Sequence, residues 1–292
     1  MKEFGSLNEA IKELYGSDRI IRSQTAVSGG DINEAKALTL DDGTKVFVKS
    51  NRSRSALDNF WAEAEGLEAI SFTGAIGVPG VLGLGQDAGV AFLLLEYIDA
   101  GKKVKGYWEV FAAELADMHG YDVGDRYGFP RDNWIGARKQ INNMHDSWIE
   151  FFRDCRLEPQ FAAADRYFSA GDRKRIRYLM DHLDQYLLEP ARPSLVHGDL
   201  WFGNMVTGND GKGWLIDPAV YYGHPEADLA MTELFGGFSG IFYEAYKEYG
   251  RLEPGYEDRR DLYNLYQLLN HLNMFGGGYL GSVMRIVNRY GC

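Results

Sequence analysis

The sequence predicts a two-part α+β fold: an antiparallel sheet carrying one long helix over residues 1–97, followed by a mainly helical part over 98–292. Three observations point there. Short alternating apolar runs punctuated by Gly, Asp and Pro fill the first hundred residues, helical periods dominate afterwards, and 292 residues is a length at which one core tends to divide.

The elements follow in order. Ser6 with Glu9 resembles a capping box, Leu7, Ile11 and Leu14 recur at helical spacing, and Gly16 stands at the stop. Residues 20–27, 34–40 and 45–49 read as three strands of an antiparallel meander, the last two joined by the turn Asp41-Asp42-Gly43-Thr44. From 55 to 70, Phe60, Ala64, Leu67 and Ile70 mark a helix, and runs at 81–84 and 90–97 form a further hairpin. Beyond 99–101 the period lengthens, with helices expected over 110–119, 148–152, 173–188 and 261–274, while Gly276-Gly277-Gly278 reads as a turn.

A formal net charge of -11 and a pI near 5.1 oppose what a phosphate backbone requires, so nucleic acid is not an expected partner. ATP remains compatible, because backbone amides, one lysine and a divalent cation can invert the field within a single cleft. With two cysteines, Cys155 and Cys292, neither a disulfide framework nor a CxxC metal site is indicated, and a reducing cytoplasm fits. The first sixteen residues carry charges throughout, and no run of 18 uncharged apolar residues follows, so neither a signal peptide nor a membrane span is expected.

The densest chemical signal is LVHGDLWFGN at 195–204, followed by Leu215-Ile216-Asp217. Kinase catalytic loops place an aspartate five residues before an asparagine, with a second aspartate after a hairpin, and Asp199, Asn204 and Asp217 keep that spacing. In-line phosphoryl transfer needs positioning more than covalent help. Asp199 would take or orient the proton of the acceptor hydroxyl, while Asn204 and Asp217 would give one neutral and one anionic oxygen to Mg²⁺. Residues 205–207 and 213–216, around Gly208-Asn209-Asp210-Gly211-Lys212, read as a small hairpin holding both ligands.

Upstream, Lys49 ends an alternating strand of the V-A-I-K type, from which it could reach the α and β phosphates. Glu63 is the expected helical partner fixing its head, and Glu65 is read as solvated face. Ser28, Gly29 and Gly30 join the first two strands and could bring backbone amides to the ATP phosphates, although the full GxGxxG pattern is absent. Glu96, Tyr97 and Ile98 stand where the two parts join, their backbone placed for the adenine edge.

With these residues in hand, the chain resembles the fructosamine kinase (ketosamine 3-kinase) family, a branch of the aminoglycoside-phosphotransferase-like kinases with a two-lobed protein-kinase-like fold. The likeness rests on HGDLWFGN at 197–204, on the 216–238 segment IDPAVYYGHPEADLAMTELFGGF, and on YGFPRDNWIG at 127–136 followed by SWIEFFRDCRLEPQ at 147–160 in the middle of the chain. It implies ATP-dependent phosphorylation of the 3-hydroxyl of ketosamines, which destabilises these sugar adducts of amines. Position by position, it implies the base at Asp199, metal ligands at Asn204 and Asp217, and the phosphate lysine and its partner at Lys49 and Glu63. Trp201 would wall the sugar, and Asp228 resembles the buried aspartate that braces the loop backbone. Trp134 and Glu226 are further substrate candidates; His197 and His224 fit scaffold better than catalysis, and their spacing suggests no zinc site. Two other readings share parts of this apparatus, a kinase of the aminoglycoside or choline type and a nucleotide-binding regulator without turnover. The preferred sugar, the amine and the oligomeric state are not written in the sequence.

Overall fold

A computed structural model describes residues 1–27, 33–249 and 252–291. The chain divides into two compact units: Met1–Tyr107 together with Gly203–Pro218, and Trp108–Phe202 together with Ala219–Cys292. A cut after residue 97 differs from this in two respects. The first unit continues to the start of a helix at Tyr107, and it takes back a hairpin from far along the chain.

The first unit is built on a six-stranded sheet. Its strands are β1 (Glu3–Phe4), β2 (Ile21–Ala26), β3 (Glu34–Leu40), β4 (Lys45–Asn51), β5 (Val81–Asp87) and β6 (Val90–Glu96), in the order β1-β5-β6-β4-β3-β2. The meander β2-β3-β4 and the hairpin β5-β6 are antiparallel as their turns require, and β6 joins them by pairing with β4. The exception to an all-antiparallel sheet is β1, which runs parallel to β5 at the edge. Two residues with no alternation to read give that strand no sequence signal.

Helix α1 (Leu7–Tyr15) opens with the Ser6 hydroxyl accepting from Glu9 N–H at 3.1 Å, and the Glu9 carboxylate reaches back to Gly5 N–H at 2.8 Å. Its Ala10 and Ile11 pack with Phe4, Leu38, Leu40, Val46, Val48, Phe92 and Leu94 in one buried cluster. Strand side chains alternate between faces, so Val46 and Val48 facing this cluster send Lys49 to the other face. Helix α2 (Ala56–Thr73), with Phe60, Ala64, Leu67 and Ile70 buried, packs on β5 and β6 and ends at Gly74 in the left-handed region.

The returning hairpin consists of β10 (Met205–Thr207) and β11 (Gly213–Leu215), paired Met205 to Leu215. Three backbone bonds attach it to the first unit: Leu215 N–H to Gly77 O at 2.8 Å, Gly101 N–H to Thr207 O at 3.0 Å, and Val104 N–H to Gly211 O at 3.1 Å. Close approach makes glycine necessary at 101, where a Cβ would meet Gly208 O at 2.0 Å.

The second unit is mainly helical. It holds most of α3 (Tyr107–Gly120), then α4 (Trp148–Phe151), α5 (Glu158–Ala163), α6 (Ala170–Asp181), α7 (Glu226–Leu234), α8 (Gly240–Glu248), α9 (Tyr256–Phe275) and α10 (Leu280–Tyr290). Two short strand pairs accompany them, β7 (Asn133–Ile135) with β8 (Arg138–Gln140), and β9 (Ser194–Val196) with β12 (Tyr221–Gly223). Between α4 and α5 the chain forms a π-helical stretch, Phe152–Leu157, that buries Arg156 completely. The guanidinium is matched there by the carbonyls of Ile141 and Cys155 and by Asn142 Oδ1. Helix α9 is the axis of the unit, with α5, α7 and α10 packed on it. Among the described residues no helix is long and apolar enough to cross a membrane.

Because the hairpin is attached mainly through backbone, crowding Gly101 should loosen it. Gly101→Ala is expected to lower the unfolding free energy by about 1–3 kcal/mol, read as a reduced urea midpoint at unchanged slope.

Candidate active site

In the first unit, Lys49 is 7% exposed and donates to Glu63 Oε1 of α2 at 2.7 Å and also to Asp217 Oδ1. Burial works against the ammonium, but the carboxylates of Asp217 and Glu63 outweigh it, and Lys49 is held above the ordinary lysine range. Burial likewise pushes Glu63 up, against the pull of Lys49 and with the like charge of Asp217 adding to it. Lys49 is therefore cationic at any working pH, as a buried charge between two anions must be.

Asp217 lies just past β11 at φ +55°, in the left-handed region, and precedes Pro218. Few residues other than glycine adopt that backbone, and a following proline ordinarily holds its predecessor extended. Strain of this kind persists where surrounding contacts over-determine it. Here the Ile216 N–H, bonded to Asn204 O at 3.0 Å, fixes the chain on one side and Lys49 takes the side chain on the other. The same bond places Asn204 and Asp217 together at the open end of the hairpin, with Asn204 buried. A carboxamide and a carboxylate are hard oxygen donors suited to Mg²⁺. No group of three or more His, Cys, Asp or Glu that could hold a metal occurs among the described residues. That donor set matches a cation that takes one or two protein oxygens and completes its shell with phosphate and water.

In the second unit, the loop after β9 is held from several sides. Asp228, 1% exposed on α7, accepts from His197 N–H at 2.6 Å and Gly198 N–H at 2.8 Å, and its Oδ2 lies 3.1 Å from His119 Nε2. Ala219 N–H donates to His197 O at 2.9 Å, and Gln267 Nε2 on α9 donates to Gly198 O at 2.9 Å. Gly198 has φ +81°, and a Cβ there would strike Ala219 O at 2.1 Å. The next residue, Asp199, is half-buried, and Trp201 is 37% exposed. Between Phe202 and Gly203 this loop passes into the first unit, where Asn204 sits.

The remaining candidates fall as follows. Ser28, Gly29 and Gly30 lie outside the described residues. The Glu96 N–H donates to Gly80 O at 2.8 Å and its carboxylate accepts from Gly80 N–H at 3.0 Å, so the Glu96 carbonyl and the backbone of Tyr97 and Ile98 carry the expectation for the adenine edge. Trp134 is half-buried on β7 beside Asn133, whose amide is tied to Val220 O, Gln140 and Asn142. Glu226, expected against substrate, needs correcting: it is 0% exposed and clamped by Arg259 through two bonds, 2.8 Å and 2.5 Å, leaving no surface to offer a ligand. His197 and His224 are both buried. His224 Nδ1 accepts from Glu226 N–H at 3.2 Å, and burial first, then Arg259 and His119, hold its pKa down at about 3.

Sequence reasoning missed His119, Gln267 and Arg259. Each contacts a partner 33 to 109 residues away, and on its own helix each reads as an ordinary amphipathic position.

A sheet unit presenting a lysine, glutamate and aspartate, and a helical unit presenting a braced loop, define a protein-kinase-like phosphotransferase. The chain belongs to the fructosamine kinase family, whose model matches residues 4–290. It is 41% identical to the "probable ketoamine kinase" of Synechocystis sp., over 97% of this chain and 95% of that one. It is 39% identical to the chloroplastic protein-ribulosamine 3-kinase of Oryza sativa subsp. indica, over 92% of this chain and 79% of that one. The crystal structure of a candidate fructosamine-3-kinase from Haemophilus somnus 129PT superposes with a TM-score of 0.87 at 32% identity, covering 98% of this chain and 96% of the other. Solved kinases and phosphotransferases at 15 to 18% identity share the fold alone.

Two predictions arise from this geometry. Asp228→Ala strands two buried backbone donors and should cost on the order of 3 kcal/mol in chemical denaturation, with Asp228→Asn retaining part of it. For His224 the folded pKa lies below the unfolded 6.5, so its contribution is complete above about pH 6.5 and is lost as pH falls toward 3. Below pH 6.5 the wild type should lose up to about 1.4 kcal/mol per pH unit more than His224→Gln, measured as the difference between their urea midpoints.

Proposed function

We propose that this protein is an ATP- and Mg²⁺-dependent kinase that phosphorylates the 3-hydroxyl of ketosamines, and that it acts in the cytoplasm. The observation that carries this is the Lys49 ammonium held between Glu63 and Asp217, with Asn204 bonded through its backbone at the same hairpin end, in a member of the fructosamine kinase family. The names of its relatives, ketoamine kinase and protein-ribulosamine 3-kinase, support the acceptor class.

On this reading the first unit handles the nucleotide and the second the acceptor. Lys49 neutralises phosphate charge from a position that Glu63 fixes, which a flexible four-carbon side chain could not keep alone. Asn204 and Asp217 hold Mg²⁺, and Tyr97 and Ile98 offer backbone groups to adenine. Bound Mg-ATP supplies the phosphoryl group and shields its developing charge. Asp199 takes the proton of the sugar hydroxyl as its oxygen bonds to the γ-phosphorus and ADP departs. Asp228, holding His197 and Gly198 by their N–H groups, keeps Asp199 in place, and Trp201 walls the sugar.

The test uses purified protein with Mg-ATP and ribuloselysine or fructoselysine, with kanamycin and choline as controls. Phosphate should appear on the ketosamine O3 by NMR, and transfer confined to kanamycin or choline, or to none of the four, would sink the proposal. Asp199→Ala should lower kcat by about 10²- to 10⁴-fold while leaving ATP binding in place; unchanged turnover removes Asp199 from its role.

A further inference from the structure

We propose that an aromatic surface running from Trp201 through Phe235 and His271 to Phe275 and Tyr279 receives the amine-bearing part of the acceptor. This rests on the ketosamine reading above and concerns the half of the substrate that the reading leaves open.

The rings form a connected series. Trp201 and Phe235 lie 6.3 Å apart between centroids, Phe235 and His271 4.7 Å, His271 and Phe275 5.4 Å, and His271 and Tyr279 5.2 Å. Packing of this kind is ordinary inside a core, yet here Trp201 is 37% and Phe275 57% exposed. Phe235, His271 and Tyr279 are half-buried between and beside them, and aromatic surface left partly open to solvent in this way marks a binding face. It is open ground as well, because a Cβ on Gly236, Gly237 or Gly278 would meet nothing within 4 Å.

Its position follows from α9. Gln267 on that helix bonds Gly198 O in the loop, and His271 stands one turn further on the same face, its Nδ1 2.8 Å from Gln267 O. A carbonyl partner makes that nitrogen the donor and leaves Nε2 as the acceptor. Burial holds the imidazole below the ordinary histidine range, keeping it an acceptor near neutrality. The series therefore begins two residues from Asp199 and continues through Phe235, at the end of α7, to His271 and Phe275 on α9.

Charge selects the occupant. Residues 199–204, 233–239 and 271–279, which supply all five rings, contain no Lys or Arg, and their charged members are Asp199 and Glu233, the latter paired with Arg260 of α9 at 2.7 Å. A ketosamine's amine nitrogen is an alkylammonium at neutral pH, which aromatic faces attract while an apolar side chain on the same nitrogen packs against them. An anionic or strongly polar aglycone gains neither contact.

The experiment compares steady-state kinetics on two ribulose adducts, of methylamine and of benzylamine, for wild type, Phe275→Ala and His271→Ala, with Phe275→Trp as the conservative rescue. Each ring removed should raise KM for the benzylamine adduct on the order of three- to fivefold relative to the methylamine adduct, with KM for ATP steady and Phe275→Trp restoring the ratio. Equal changes for both adducts, or a ratio that Phe275→Trp fails to restore, overturn the assignment. If the wild type phosphorylates neither adduct, the ketosamine reading itself falls and takes this surface with it, an outcome recognisable because it precedes any substitution.

Discussion

A lysine ammonium buried at the face of a sheet has to find anions, and Lys49 finds two, one on α2 and one beyond β11. Desolvating that charge without partners would cost several kcal/mol, so sheet, helix and returning hairpin are obliged to meet around it. The same demand accounts for the unusual backbone of Asp217. Left-handed and followed by proline, it would relax to an extended conformation if the bond from Ile216 and the pull of Lys49 did not hold it. Strain and electrostatics are thus balanced at one residue, and that residue is one a phosphate-bound cation would engage.

The second unit meets a comparable constraint with the sign reversed. Asp228 is a buried anion with backbone N–H groups as its partners, supplemented by His119, in place of an arginine. Two donors from successive residues fix the loop's direction more tightly than one side chain could, because both depend on the path of the main chain. Glycine at 198 is then a steric requirement, with Ala219 O occupying the space a side chain would need. Loops are usually the softest parts of a fold; this one is tied to Ala219 just before β12, to α7 and to α9.

The two buried carboxylates of α7 illustrate how similar burial serves different ends. Asp228 organises a loop that bears a chemical group, whereas Glu226, two residues earlier, is spent on Arg259 and joins α7 to α9. Proximity in sequence to a functional segment therefore says little about contact with substrate. Membership of the fructosamine kinase family describes the apparatus, and beside Trp201 aromatic residues from three segments gather.

Local physics determined much of this protein before any coordinates. Alternation and turn chemistry are short-range properties, so β3 coincides with its expected span and the 205–215 hairpin forms around its Asn-Asp-Gly turn. Asp199, Asn204 and Asp217 stand out by their spacing and Lys49 by its alternating strand, and the structure sets Lys49, within β4, against Asp217, with Asn204 at the same hairpin end. The two-residue β1 went unread because it is too short to show a pattern; α8 and α10 also went unread, although Leu280, Val283, Val287 and Tyr290 of α10 keep helical spacing. What tertiary structure alone decided was partnership. It joined the hairpin to the first unit through Gly77, Gly101 and Val104, buried Glu226, set His119 against Asp228 across 109 residues, and brought Gln267 to the carbonyl of Gly198 across 69. Such contacts depend on where the chain returns in space, a quantity that no local periodicity encodes.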